Sequence, residues 1–161
     1  MGVKEIILMR HGKSSWDYPV DDRDRPLLPR GIQDARRVAF VLRDMPMPDA
    51  VFSSPANRAL HTCCIAMNTL GYSFEKLRVS EQLYDFDGKL VTSFVKQFND
   101  DLHRVMLFGH NHAFTTLADA WGDTPLHHLP TAGAVRLQFD IRRWQDLSQG
   151  KTLQIISPKN L

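Results

Sequence analysis

The sequence predicts an α/β sandwich with a mostly parallel central sheet, and three observations carry that prediction. Short apolar runs alternate along the chain with stretches of helical period. The runs at residues 4–9 (KEIILM) and 104–108 (RVMLF) are apolar almost throughout, as strands buried on both faces of a parallel sheet are, and glycines follow them at Gly12 and Gly109. The chain has 161 residues, 43% hydrophobic and 24% charged, which predicts one globular domain over residues 1–161.

The elements follow in order. Residues 4–9 form the first and central strand. Residues 16–30 (WDYPVDDRDRPLLPR) mix Asp, Arg and Pro without an apolar period and predict a long surface loop, a class of segment that often carries function. Pro29 and Gly31 open a helix on which Ile32, Ala35, Val38, Ala39 and Leu42 recur at helical spacing before Pro46 and Pro48; Leu28 makes a poor cap for it. Residues 50–53 (AVFS) read as a second strand. Ser54 and Pro55 then suit the N-cap and first turn of a helix whose face carries Leu60, Cys63, Cys64 and Met67 and which Gly71 ends. A short strand at 77–80, a helix at 90–98, the strand at 104–108 and a helix at 114–121 come next. Residues 134–140 alternate with Val135, Leu137 and Phe139 inward, and residues 152–157 pair with them.

Charge narrows the function classes. Twenty Lys and Arg against eighteen Asp and Glu leave a formal +2, too balanced for the basic surface that nucleic acid or an anionic membrane requires. The cations are mostly Arg, which suits planar oxyanion recognition. Cys63 and Cys64 are sequence neighbours and read as buried thiols rather than a disulfide framework. With no long apolar segment near the start, the expected location is the cytoplasm.

In open α/β sheets ligands bind beyond the carboxyl ends of the strands. Here those ends deliver Arg10, His11 and Gly12, then Ser53, Ser54 and Arg58, then Gly109, His110 and Asn111. Two His and two Arg at one sheet edge fit phosphoryl transfer through a covalent phosphohistidine: a neutral imidazole attacks phosphorus while guanidinium groups hold its oxygens. That chemistry needs no metal or other cofactor.

Several separated segments resemble the histidine phosphatase superfamily in correct order. LMRHGKSSWD (residues 8–17) is similar to its opening motif, with KSSW looking like the small SixA-type phosphohistidine phosphatase branch. DRDRPLLPRG around Arg25, Pro26 and Gly31, SSPANRALHT with Arg58, LFGHN with His110, LPTAGAVRLQFD and the final SPKNL are similar too. The resemblance implies a three-layer α/β/α sandwich of the phosphoglycerate mutase-like type. It implies His11 as the nucleophile, Arg10, Arg58 and His110 as ligands of the phosphoryl oxygens, and a protonated His110. Gly12 would let the backbone pass close to the phosphate, Ser14 and Asn111 would add hydrogen bonds at the rim, and Lys13 would raise the local positive potential. The substrate is expected to be a phosphorylated protein, carrying phosphohistidine, or a small phosphorylated molecule, with phosphate or sulfate able to occupy the site.

One departure bears on chemistry. Ester-cleaving members usually place a carboxylic acid after the second histidine or in mid-chain, because an alkoxide leaves badly unless protonated. Asn111 cannot serve, and Asp85, within SEQLYDFDG, is the candidate general acid. Phosphohistidine releases an imidazole that protonates near neutral pH, so it depends less on such an acid. A phosphomonoesterase for small molecules and a phosphoryl-binding module with little turnover are the alternatives. His110 and His112 are spaced as in some zinc sites, but no third ligand lies nearby.

Overall fold

The computed structural model describes residues 2–161. Ten regular elements alternate: β1 (Lys4–Arg10), α1 (Pro29–Val41), β2 (Ala50–Ser53), α2 (Asn57–Leu70), β3 (Leu77–Val79), α3 (Lys89–Lys96), β4 (Arg104–Gly109), α4 (Ala113–Trp121), β5 (Ala134–Phe139) and β6 (Lys151–Ile156). The six strands form one sheet in the order β3-β2-β4-β1-β5-β6. Strands β3, β2, β4 and β1 run parallel, and β5 and β6 add an antiparallel hairpin at one side.

β1 explains the layering. Its side chains alternate, so Ile6 and Leu8 pack with Val91 and Val95 of α3 and Phe114, Leu117 and Trp121 of α4. Ile7 and Met9 pack on the other face with Ala35, Val38 and Ala39 of α1 and Cys63, Ala66 and Met67 of α2. All four β1 residues are fully buried, the reason the run is apolar without alternation. The result is helix pairs on both faces of the sheet, the three-layer α/β/α arrangement.

Most expected boundaries fall within a residue or two of the observed ones. Gly71 closes α2 at φ 73°, in the left-handed region where a side chain is strained. Val135, Leu137 and Phe139 are inward as expected. The start of α2 differs: Ala56 is its N-cap and Asn57 its first residue. Ser54 is occupied elsewhere, its N–H continuing the sheet ladder to the Phe108 carbonyl at 3.0 Å.

Candidate functional site

The parallel ladder sets the floor of the site. β1 and β4 are in register with Arg10 opposite Gly109, and β2 and β4 with Ser53 opposite Phe108. The pairing runs one step beyond the strands, the His11 N–H donating to the Gly109 carbonyl at 3.1 Å. Three adjacent strand ends therefore present His11, Ser54 and His110 side by side. The His11 and His110 rings lie 5.3 Å apart, centroid to centroid.

A cleft of about 490 Å³ opens over them, lined by Arg10, His11, Lys13, Ser14, Trp16, Asp22, Arg25, Arg58, Phe86, His110, Asn111 and Thr131. The structure thus brings together Arg10, His11, Arg58 and His110, as the strand-end reading expected. A roomier cleft, about 590 Å³, lies at the opposite end of the sheet beside Val3 and Asp140 and touches none of these residues.

Each imidazole has a defined setting. His11 Nδ1 donates to the Gly12 carbonyl at 2.7 Å, which leaves Nε2 as the unprotonated nitrogen. Burial, followed by the positive charges of Arg58, Arg10 and Arg25, pushes the His11 pKa down to about 3, so the ring is neutral at pH 7. Gly12 itself is fixed by its N–H, which donates to Thr62 Oγ1 at 2.9 Å, and Thr62 is anchored in turn on the Arg58 carbonyl at 2.7 Å.

His110 Nε2 lies 2.8 Å from Ser54 Oγ, and that oxygen also accepts from the Ala56 N–H at 3.2 Å. Ser54 is left free to donate its own proton to Nε2, which puts the ring proton on Nδ1. Burial first, then proximity to His11 and Arg58, drives the His110 pKa down to about 3. The expected protonated His110 is therefore not the form this setting favours: two cationic guanidiniums and low polarity favour the neutral ring.

The arginines are held differently. Arg10 Nη1 donates to the Leu129 carbonyl at 2.9 Å; burial and then repulsion from Arg58 lower its pKa below the ordinary value. Arg58, 3% exposed, donates through Nη2 to Asp22 Oδ2 at 2.9 Å and through Nη1 to the Asp22 carbonyl. Arg10 Nε, Arg58 Nε and His110 Nδ1 are buried and have no hydrogen-bond partner among the described residues. Arg10, Arg58 and His110 all line the cleft, and two guanidiniums and an imidazole around one opening suit an oxyanion.

The rim residues are placed less directly. Ser14 and Asn111 line the cleft, but both have other partners. Ser14 Oγ accepts from Arg25 Nη2 at 2.6 Å. Asn111 Oδ1 accepts from the Thr115 N–H at 3.0 Å and the Thr115 hydroxyl at 2.8 Å, and its Nδ2 donates to the Leu129 carbonyl at 3.3 Å. Gly12 is needed for a crossing of chains: a Cβ there would come within 2.6 Å of the Gly31 carbonyl oxygen. Asp85 does not line the cleft; it is buried, its oxygens accepting from the Val91 N–H at 3.0 Å and the Asp87 N–H at 3.4 Å around the start of α3. His61, His112, His127 and His128 are exposed. No group of three or more His, Cys, Asp or Glu among the described residues is arranged to hold a metal ion, and no helix is long and apolar enough to cross a membrane.

Sequence reasoning assigned no role to five residues that line the cleft: Trp16, Asp22, Arg25, Phe86 and Thr131. Asp22 pairs with Arg58 and accepts from the Tyr84 hydroxyl. Although burial works against ionisation, these hydrogen bonds hold the Asp22 carboxyl down to about 2. Arg25, Trp16 and Phe86 complete the walls, and the Phe86 and Tyr84 rings pack 5.0 and 5.4 Å from His110. The available signals were the unpatterned 16–30 loop, which supplies Trp16, Asp22 and Arg25, and the KSSW and DRDRPLLPRG segments that overlap it.

Comparison with known proteins bears on the fold and the family. A structure bearing the name SixA, from Nakamurella multipartitia, superposes with a TM-score of 0.83 at 23% identity, covering 98% of both chains. The protein histidine phosphatase SixA complexed with tungstate gives 0.81 at 22% identity, covering 97% of this chain and 98% of that one. They share the phosphoglycerate mutase-like fold. An uncharacterized protein from Mycobacterium tuberculosis is 33% identical over 111 residues, 68% of this chain and 67% of that protein. The model of the histidine phosphatase superfamily (branch 1) matches residues 6–91, a span that holds Arg10, His11 and Arg58, and by that match the chain belongs to the histidine phosphatase superfamily.

Proposed function

We propose that this chain is a metal-independent phosphatase that works through a phosphohistidine at His11 and dephosphorylates phosphohistidine in proteins. The observation that carries the reading is the 2.7 Å bond from His11 Nδ1 to the Gly12 carbonyl, which presents a neutral Nε2 at the floor of a cleft rich in guanidinium groups. The SixA neighbour that holds tungstate, an oxyanion of phosphate-like shape, supports it.

The steps balance. The Nε2 lone pair of His11 attacks phosphorus while the P–N bond of the substrate breaks, and the departing imidazole keeps the electron pair and takes a proton from bulk water. Water then attacks phosphorus, the P–Nε2 bond breaks with its pair returning to His11, and the proton of the water passes to phosphate. Arg10 and Arg58 balance the charge of the equatorial oxygens, and His110 Nδ1–H donates a further hydrogen bond. An arriving dianion also raises the depressed pKa of His110 and allows it to take up a proton with substrate. Gly12, Ser14 and Asn111 shape the rim mainly by fixing neighbours.

The site favours a phosphoramidate over an alkyl ester. Asp85 spends both oxygens on backbone N–H groups, and Asp22 remains ionised down to about pH 2, so neither is a poised proton donor at pH 7. A departing imidazole needs less help. His11→Ala tests the mechanism: turnover of a phosphohistidine protein and acid-labile labelling of the enzyme should both vanish. Turnover surviving in that variant would overturn it, and binding without phosphate release by the native chain would point to a binding module.

A further inference from the structure

Trp16 is 77% exposed and yet firmly placed. The Arg25 guanidinium lies over its ring, 3.2 Å from the centroid, and Arg25 itself is buried. All three nitrogens of that guanidinium are engaged: Nε with the Ser15 carbonyl at 3.1 Å, Nη1 with Asp22 Oδ1 at 3.2 Å, and Nη2 with Ser14 Oγ at 2.6 Å. Ser15 is tied across the loop by its N–H to the Pro26 carbonyl at 2.8 Å. One face of the indole is thus stacked on a fixed support. The other face of a fixed aromatic ring is left open at the edge of a polar cleft.

In-line displacement fixes where the departing group lies. With phosphorus held between His11 and the arginines, the departing atom stands on the side of phosphorus away from His11 Nε2, toward the cleft opening. Of the residues lining this cleft, only Trp16 and Phe86 offer broad aromatic surfaces apart from the two histidines. We infer that Trp16 is a specificity-determining residue that stacks on the imidazole ring of the phosphohistidine substrate. This deepens the proposed function and rests on it. A ring bonded through nitrogen directly to phosphorus has a flat face to offer such a wall. It also gains cation–π attraction as it becomes protonated on leaving. An alkyl phosphate offers no such face.

The test compares native enzyme, Trp16→Ala and Trp16→Phe on phosphoimidazole, phenyl phosphate and an alkyl phosphate, with tungstate as inhibitor. Trp16→Ala should raise KM for phosphoimidazole about three- to tenfold, the size of one aromatic contact. Trp16→Phe should restore most of the loss, and any change in tungstate inhibition or alkyl phosphate kinetics should be clearly smaller than that on phosphoimidazole. An equal loss on the alkyl phosphate, or no change on any substrate, overturns the inference. If the native enzyme fails to cleave phosphoimidazole, the proposed function falls. The ring-binding wall is then judged on phenyl against alkyl phosphate, where equal effects overturn it as well.

Discussion

Asp22 sets a carboxylate oxygen 2.9 Å from Nη2 of Arg58, so that a loop residue supplies an internal anion to a guanidinium that is 3% exposed. An incoming oxyanion must share or replace that partner. Asp22→Asn keeps the shape and removes the charge, so tungstate should bind about three- to tenfold more tightly, as expected for losing one partly exposed competing ion pair. Calorimetry at pH 7 checks this; weaker binding would mean that Asp22 serves to orient Arg58 instead.

The two histidines make stability depend on acid. Both have a pKa of about 3 in the fold against an ordinary 6.5, so between those values the unfolded chain binds protons that the folded chain refuses. Above 6.5 both states are neutral and nothing is lost; as pH falls from there toward 3, stability drops by about 1.4 kcal/mol per pH unit for each histidine. Asp22, held at about 2 against 3.8, adds a further loss below about pH 4. Urea unfolding from pH 7.5 to 4.5 should show the decline, and His110→Asn should roughly halve its slope.

Gly31 meets the loop after His11 at backbone distance, and a Cβ on it would collide with Lys13 main-chain atoms. Gly31→Ala should therefore cost about 1–3 kcal/mol, the usual penalty of overpacking. It should also depress turnover by moving His11, and thermal denaturation alongside kinetics would separate the two effects.

Asp85 is a capping carboxylate in this fold. Asp85→Ala should lower stability by about 1 kcal/mol through the lost bond to the Val91 N–H. Cleavage of a phosphoramidate should change little. A collapse of phosphoramidate turnover with an unchanged melting temperature would restore the general-acid assignment.

Periodicity and strand-end logic found what is local or repeated. The apolar run of β1 was legible because both faces of that strand are buried, and β2 was read at its observed limits, Ala50–Ser53. The four residues gathered at the sheet edge were legible because strand ends are fixed by topology. Ser54 was misread as a helix cap because its use, bridging the Ala56 N–H and His110 Nε2, depends on a strand 56 residues away. The place of Asp22, Trp16 and Arg25 in the site was not legible for a related reason. A loop without period gives no clue to which side chains turn inward, and here the choice is made by the Ser14–Leu27 bridge and by partners on α2 and beyond.

His11, Ser54 and His110 hang from a continuous hydrogen-bonded ladder, whereas Trp16 and Asp22 hang from a loop tied down by side chains. The two histidines at the floor and the outer wall of the cleft therefore rest on separate supports. Substitutions between residues 16 and 28 can re-cut the opening and leave the floor in register.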